Sequence, residues 1–167
     1  SRDFKALVGE LAMLRGYEVT RDLPAEPMEI ETPLERMTGT VVQGKRVILV
    51  PILRAGLGMV DGLIQLIPSA RVGHIGLVRD EQTHAAHRYY FKLPSLEDAS
   101  DFLVLDPMLA TGGSAVKACT ALKEAGARRI RFLALVAAPA GVRLLGEAHP
   151  DVPVFVAGLD RELDENA

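Results

Sequence analysis

A chain of 167 residues fits a single domain, residues 1–167, and with 49% hydrophobic and 25% charged residues it carries enough apolar mass for a core. Its net charge of −3, with the signs interleaved, lacks the basic stripe of a nucleic-acid binder, and three Tyr, five Phe and no Trp leave few stacking platforms for single strands. The longest strongly apolar stretch, residues 132–142, is broken by Pro139 and falls short of the ~20 residues that a bilayer requires, so neither nucleic acid nor membrane is an expected partner.

In chain order, the opening SRDFKALVGELAML mixes charge into an amphipathic pattern, unlike a signal peptide. Phe4, Leu7, Val8, Leu11 and Leu14 fall on one helix face, and Gly16 is a plausible stop. Between residues 17 and 46, Met28, Ile30 and Thr32 alternate like a strand. Pro24, Pro27 and Pro33 cut the segment up, and TPLERM can open a helical turn at Thr32.

From Val47 the pattern becomes regular. Apolar runs at 47–50, 72–78, 102–106, 129–136 and 152–158 alternate with helical stretches ending near Ile67, spanning about 114–125 and spanning about 140–148. Strands that are apolar on both faces and alternate with helices imply a doubly wound α/β domain, a mainly parallel sheet with helices on both faces. Residues 80–93 break the rhythm and read as a protruding, flexible loop or hairpin. The single cysteine, Cys119, excludes an intramolecular disulfide and fits a reducing, cytoplasmic compartment.

Ligands of open α/β sheets bind at the carboxyl ends of the strands. After the third run the chain reads Asp106, Pro107, Met108, Leu109, Ala110, Thr111, Gly112, Gly113, Ser114 and then a helix. Such a loop can aim successive backbone N–H groups at one point, at the positive end of a helix, with the Thr111 and Ser114 hydroxyls as further donors: a cradle for a monophosphate. It is neither GxxxxGK[ST] nor GxGxxG. The bland alternative is a strand-to-helix turn in which Ser114 is the N-cap and Gly112 and Gly113 supply positive φ. Asp106 at the strand end, able to accept two vicinal ribose hydroxyls, favours the cradle.

The whole string VLDPMLATGGS closely resembles the phosphoribosyl-diphosphate (PRPP) motif of type I phosphoribosyltransferases, in the form found in uracil phosphoribosyltransferases. Most of that superfamily carries two adjacent acidic residues; here Asp106 is followed by Pro107, as in the uracil branch. VPILRAGLGMVDG at 50–62, HIGLVRDEQT at 74–83, LVAAPAGV at 135–142 and EAHPDV at 147–152 are similar to the same branch, so the resemblance covers residues 41–164.

The resemblance implies a glycosyltransferase that moves the phosphoribosyl group of PRPP to uracil, giving UMP and pyrophosphate in pyrimidine salvage. It implies that Arg54, in a tight loop after the first run, and Arg79, after the second, meet the diphosphate. The guanidinium fork suits both places, because it binds phosphate oxygens bidentately and stays charged. Asp106 would hold the ribose, residues 110–114 would anchor the 5′-phosphate with 107–109 as the rest of the PRPP-binding stretch, and residues 80–93 would close over the sugar. Arg88 and Lys92 are candidate diphosphate partners or ordinary surface charges. His84 and His87 lack a third ligand with metal spacing, and no metal site is assigned. Mg²⁺ is expected instead as a cofactor carried mainly by PRPP. Family members also form homodimers or larger assemblies, and GTP activates some.

Family members continue past a segment like residues 159–167 into a Tyr-Ile-Val-Pro-Gly-Leu-Gly-Asp-Ala-Gly-Asp stretch that recognises uracil. The 167 residues stop before it and also begin later than the family does. No residue is therefore assigned to the base. The protein is expected to be longer than this chain, with a C-terminal stretch that orders when uracil or UMP binds. The alternatives are a phosphoribosyltransferase for another base and a non-catalytic PRPP- or nucleotide-sensing regulator on the same fold.

Overall fold

A computed structural model of the chain describes residues 2–42, 47–79, 86–96 and 101–162. The elements run α1 (Arg2–Val19), β1 (Ala25–Glu31), β2 (Arg36–Val42), β3 (Val47–Leu53), α2 (Leu57–Leu66), β4 (Arg71–Val72), β5 (His74–Arg79), β6 (Ala86–Lys92), β7 (Asp101–Leu105), β8 (Met108–Leu109), α3 (Gly113–Glu124), β9 (Arg129–Ala137), α4 (Pro139–Ala148) and β10 (Val154–Leu159). Among the described residues, no helix is long and apolar enough to cross a membrane.

The main sheet follows the order β10-β9-β7-β3-β5-β6, with β4 beside β3 and β8 beside β9. β3, β5, β7, β9 and β10 pair in parallel; β6 returns antiparallel to β5 as a hairpin arm. The five apolar runs of the sequence thus overlap these five strands, and the two-residue β4 and β8 also pair in parallel. β3 is buried along nearly its whole length and β7 throughout, as strands covered on both faces must be.

Two cores sandwich the sheet. On one face Ile48, Val50, Phe102, Val104, Ile130 and Phe132 pack with Ala118, Cys119 and Leu122 of α3 and Leu145 of α4. On the other, Leu49, Leu103, Leu105, Leu133 and Leu135 pack with Val8 and Ala12 of α1 and Met59 and Leu63 of α2.

Two sequence expectations change. Helix α1 runs through Gly16 to Val19, and the side chains it buries are Val8, Ala12 and Val19, whereas Phe4, Leu7, Leu11 and Leu14 remain exposed. The cause is close packing on α2: a Cβ at Gly16 would meet the Leu63 and Leu66 side chains, and one at Gly62 would meet the backbone of Gly9. The small residues of α1 therefore face the neighbouring helix, and its large ones do not.

The other change is at TPLERM, which forms a hairpin loop rather than a helical turn. β1 and β2 pair antiparallel from Ala25↔Val42 to Glu31↔Arg36. Thr32 closes the loop, its N–H donating to the Glu35 carbonyl at 2.9 Å and its Oγ1 accepting from the Glu35 N–H at 3.0 Å.

Candidate active site

The strand order fixes where a ligand can enter. From β3 the chain crosses through α2 to β5 on one side; from β7 it crosses through α3 to β9 on the other. At the carboxyl ends of the adjacent strands β3 and β7 the two connections diverge and leave a crevice, the topological switch point of an open sheet.

The loop after β3 supplies one wall. The Leu53–Arg54 peptide is cis, and Gly56 N–H donates to the Ile52 carbonyl at 2.9 Å, which winds the chain into a tight turn before α2. The Arg54 side chain is exposed and makes no hydrogen bond or ion pair among the described residues. Gly56 is buried against the neighbouring strand: a Cβ there would collide with the Leu105 carbonyl oxygen and with the Ile52 backbone. The two loops therefore touch, backbone to backbone, and Gly56 permits it.

The loop after β7 supplies the other wall. Asp106 is half-buried; its N–H donates to the Leu133 carbonyl at 3.2 Å, and its Oδ1 lies 3.4 Å from the Met108 N–H. The Pro107 carbonyl accepts from the Leu135 and Val136 N–H groups at 3.1 and 3.0 Å, and the Leu109 carbonyl accepts from Ala138 N–H at 2.9 Å. These bonds create β8, a two-residue strand in parallel with Val136 and Ala137, which nothing in the sequence marks. Leu109 points into the core, so it can offer a ligand only its backbone; Met108 stays exposed.

Gly112 then turns the chain with φ +88° into α3. Its carbonyl accepts from Val116 N–H at 2.9 Å, while the N–H groups of Gly113, Ser114 and Ala115 belong to the first turn, where a helix has no acceptor for them. They lie at the positive end of the helix dipole, the arrangement that favours an anion. The expected N-cap moves: Gly112 holds that position, no side chain caps the helix, and Ser114 sits half-buried inside the first turn. Of the two glycines only Gly112 has positive φ; a Cβ at Gly113 would meet open space.

The structure thus sets the loop that carries Arg54 beside the start of the 106–114 loop, at the carboxyl ends of β3 and β7. Arg79 is the last residue of β5, and its side chain, like residues 80–85 with His84, lies outside the described part. His87, Arg88 and Lys92 lie on β6. Arg88 stacks over Phe91, its Cζ 4.9 Å from the ring centroid, and lines with Leu77, His87, Lys117, Thr120 and Glu124 a cleft of about 420 Å³ between β6 and α3. Among the described residues no three His, Cys, Asp or Glu side chains converge as a metal cage would require.

The family model for uracil phosphoribosyltransferase matches residues 1–167. The chain belongs to that family. It is 54% identical over 166 residues to the uracil phosphoribosyltransferases of Bacillus thuringiensis (strain Al Hakam) and Bacillus mycoides (strain KBAB4), covering 99% of this chain and 79% of each relative. Among solved structures, the AQ2163 protein from Aquifex aeolicus superposes with a TM-score of 0.91 at 32% identity, over 96% of this chain and 77% of that one. A purine phosphoribosyltransferase from Pyrococcus horikoshii Ot3 shares the fold, with a TM-score of 0.64 at 14% identity over 93% of this chain and 85% of that one.

Proposed function

We propose that this uracil phosphoribosyltransferase family member transfers the phosphoribosyl group of PRPP to uracil, with the 5′-phosphate in the cradle of residues 110–114, the ribose on Asp106 and the diphosphate on Arg54 and Arg79. The observation that carries the placement is the backbone contact between Gly56 and Leu105, which sets the Arg54 loop beside the start of the 106–114 loop. A ligand with a phosphate at one end and a diphosphate at the other needs two anion-binding loops on one crevice, and two adjacent loops at the switch point support that reading.

In the reaction N1 of uracil attacks C1 of the ribose, the bond from C1 to the diphosphate oxygen breaks, and the N1 proton is lost to give UMP and pyrophosphate. Positive charge develops on the ribose ring and negative charge on the leaving group. The protein must therefore clamp and stabilise rather than supply a nucleophile. Arg54 faces solvent with its donors uncommitted among the described residues, ready for the charge that grows on the diphosphate. The Asp106 carboxylate orients the sugar while α3 holds the phosphate end, so C1 is fixed between two anchors.

A single half-buried carboxylate suits Mg²⁺ that arrives on the substrate, since this ion keeps waters and binds through one or two carboxylates and phosphates. When bound it would neutralise charge on the diphosphate; Asp106 is the residue placed to approach it through the ribose hydroxyls.

A homo-oligomer is part of the same proposal. Phe4, Leu7, Leu11 and Leu14 form an exposed apolar stripe, and the β1–β2 ribbon exposes Met28, Met37, Val41, Val42 and Leu34, the last at 94%. A two-stranded ribbon is marginal by itself, and stripes of this kind mark subunit contacts. The buried thiol of Cys119 fits the reducing cytoplasm proposed for the protein. The test is UMP formation from PRPP and Mg²⁺ with uracil set against cytosine, hypoxanthine and adenine, with GTP present or omitted to test activation. Turnover of another base in preference to uracil would reassign the substrate, and PRPP binding without turnover would favour a regulator.

A further inference from the structure

We infer that Gly141, in the first turn of α4 and outside both loops of the crevice, is a positioning residue for the phosphate cradle. This rests on the PRPP reading of residues 107–114.

The first turn of α4 packs on the back of that loop. A Cβ at Gly141 would lie 2.5 Å from the Ala110 carbonyl oxygen, 2.8 Å from the Leu109 carbonyl oxygen and 3.1 Å from the Ala110 carbonyl carbon. The contact is reciprocal, because a Cβ at Gly112 would lie 2.8 Å from the Gly141 carbonyl oxygen and 3.2 Å from both Gly141 Cα and Leu144 Cβ. Ala138, the N-cap of α4, adds its N–H bond to the Leu109 carbonyl at 2.9 Å. Every atom that a methyl group at 141 would strike within this distance is backbone, and backbone cannot rotate aside as a side chain can.

The consequence follows from peptide planarity. In a trans peptide the C=O and N–H point in opposite directions. The Ala110 carbonyl lies against Gly141, so the N–H of the same peptide unit, that of Thr111, points away from α4. The positive end of α4 also favours the two carbonyls packed on it. Helix α4 therefore sets the orientation of the peptide that leads into Gly112 and α3, and only glycine at 141 lets the helix come this near. Pushing the 110–111 unit by a few tenths of an ångström would tilt the loop's donors off the phosphate.

In the sequence Gly141 lies in the family-like stretch LVAAPAGV, with no role assigned to it there. A second glycine on the same helix supplies the control: at Gly146 a Cβ meets nothing within 4 Å. Both substitutions raise helix propensity, so an effect confined to Gly141 cannot come from propensity.

The experiment compares Gly141→Ala with Gly146→Ala by PRPP dissociation constant, by the KM values for PRPP and for uracil, and by unliganded Tm. Gly141→Ala is expected to weaken PRPP in both measures by about tenfold to a hundredfold, the scale of a small misplacement of binding groups, with the uracil KM within about twofold. Gly146→Ala should leave all of them unchanged. A folded Gly141→Ala protein with wild-type PRPP affinity overturns the inference. Should that variant not fold, hydrogen exchange on the wild-type protein decides. PRPP is expected to slow exchange at the amides of Ala138 and Val142 together with those of 113–115, and protection confined to 113–115 overturns the coupling. Wild-type protein that shows no PRPP affinity would reject the reading of the loop itself, and Gly141's role with it.

Discussion

The two ends of the sheet use charge in opposite ways. At the amino end, Asp101 is buried and receives Arg129 at 2.6 Å, with Arg131 at 3.8 Å. Arg131 also donates to the Val19 carbonyl and pairs with Asp22, tying the end of α1 to β9. The hydrogen bond from Arg131 holds the Asp22 carboxyl below its ordinary range, so what this pair adds is present above about pH 4 and is lost as pH falls through the lowered value. At the carboxyl end Arg54 faces solvent and the first-turn N–H groups of α3 have no helical acceptor. Charges answered within the chain stabilise the fold; in the proposed function, the charges and dipoles at the carboxyl end serve the ligand. One sheet separates the two tasks by its polarity.

The contrast can be broken from either side. Asp101→Ala removes the buried carboxylate and leaves the half-buried Arg131 with one fewer anion, and it should lower unfolding stability by about 3 kcal/mol, the lower end for breaking a buried pair, while kcat/KM per folded molecule stays put. Urea unfolding with parallel kinetics checks both halves. Arg54→Ala should do the reverse, with kcat/KM for PRPP down by about a hundredfold or more and Tm unchanged. Normal PRPP turnover in both Arg54→Ala and Arg79→Ala would remove the diphosphate assignment.

Gly113→Val places a branched side chain in open space at the mouth of the cradle, so the protein should fold but lose the roughly 2.7 kcal/mol of protection that PRPP gives at a hundred times its Kd. Undiminished thermal protection would return the loop to being a plain turn.

The smallest effect sharpens the comparison in the core behind α3. Burial pushes the Cys119 thiol up to about 12, above its unfolded value near 9. The folded state thus keeps its proton where the unfolded chain loses it. That contribution is complete below pH 9 and is lost as pH rises from 9 toward 12, by up to about 1.4 kcal/mol per pH unit. Tm measured at pH 8, 9 and 10 should fall more steeply for the wild type than for Cys119→Ala.

Much of this division was legible in the sequence, for physical reasons. Parallel strands buried on both faces are uninterrupted apolar runs, so VILV and FLVLD announced β3 and β7, and with them the loops on which the proposed site is built. What stayed hidden depends on contacts between segments. Helix α1 was assigned the wrong buried face because periodicity weighs Leu and Phe over Gly9, Ala12 and Gly16, and the close approach of α2 was not visible in one segment. β8 exists only through the Pro107 and Leu109 carbonyls bonded to β9 and α4. The Ser114 cap failed because Gly112, in the left-handed region, takes the N-cap position two residues earlier. Residues 80–93 were read as a protruding loop or hairpin, and in their described part β6 pairs antiparallel with β5 from His74↔Lys92 to Arg79↔Ala86.

The most direct test of the central claim is the stoichiometry of PRPP consumption with uracil, measured as UMP and pyrophosphate together for the wild-type protein and for Arg54→Ala. The account predicts equal amounts of the two products, uracil preferred over the other bases, and a rate about a hundredfold lower in the variant at limiting PRPP. PRPP left unconsumed by the wild type, or consumed equally fast by Arg54→Ala, would contradict it.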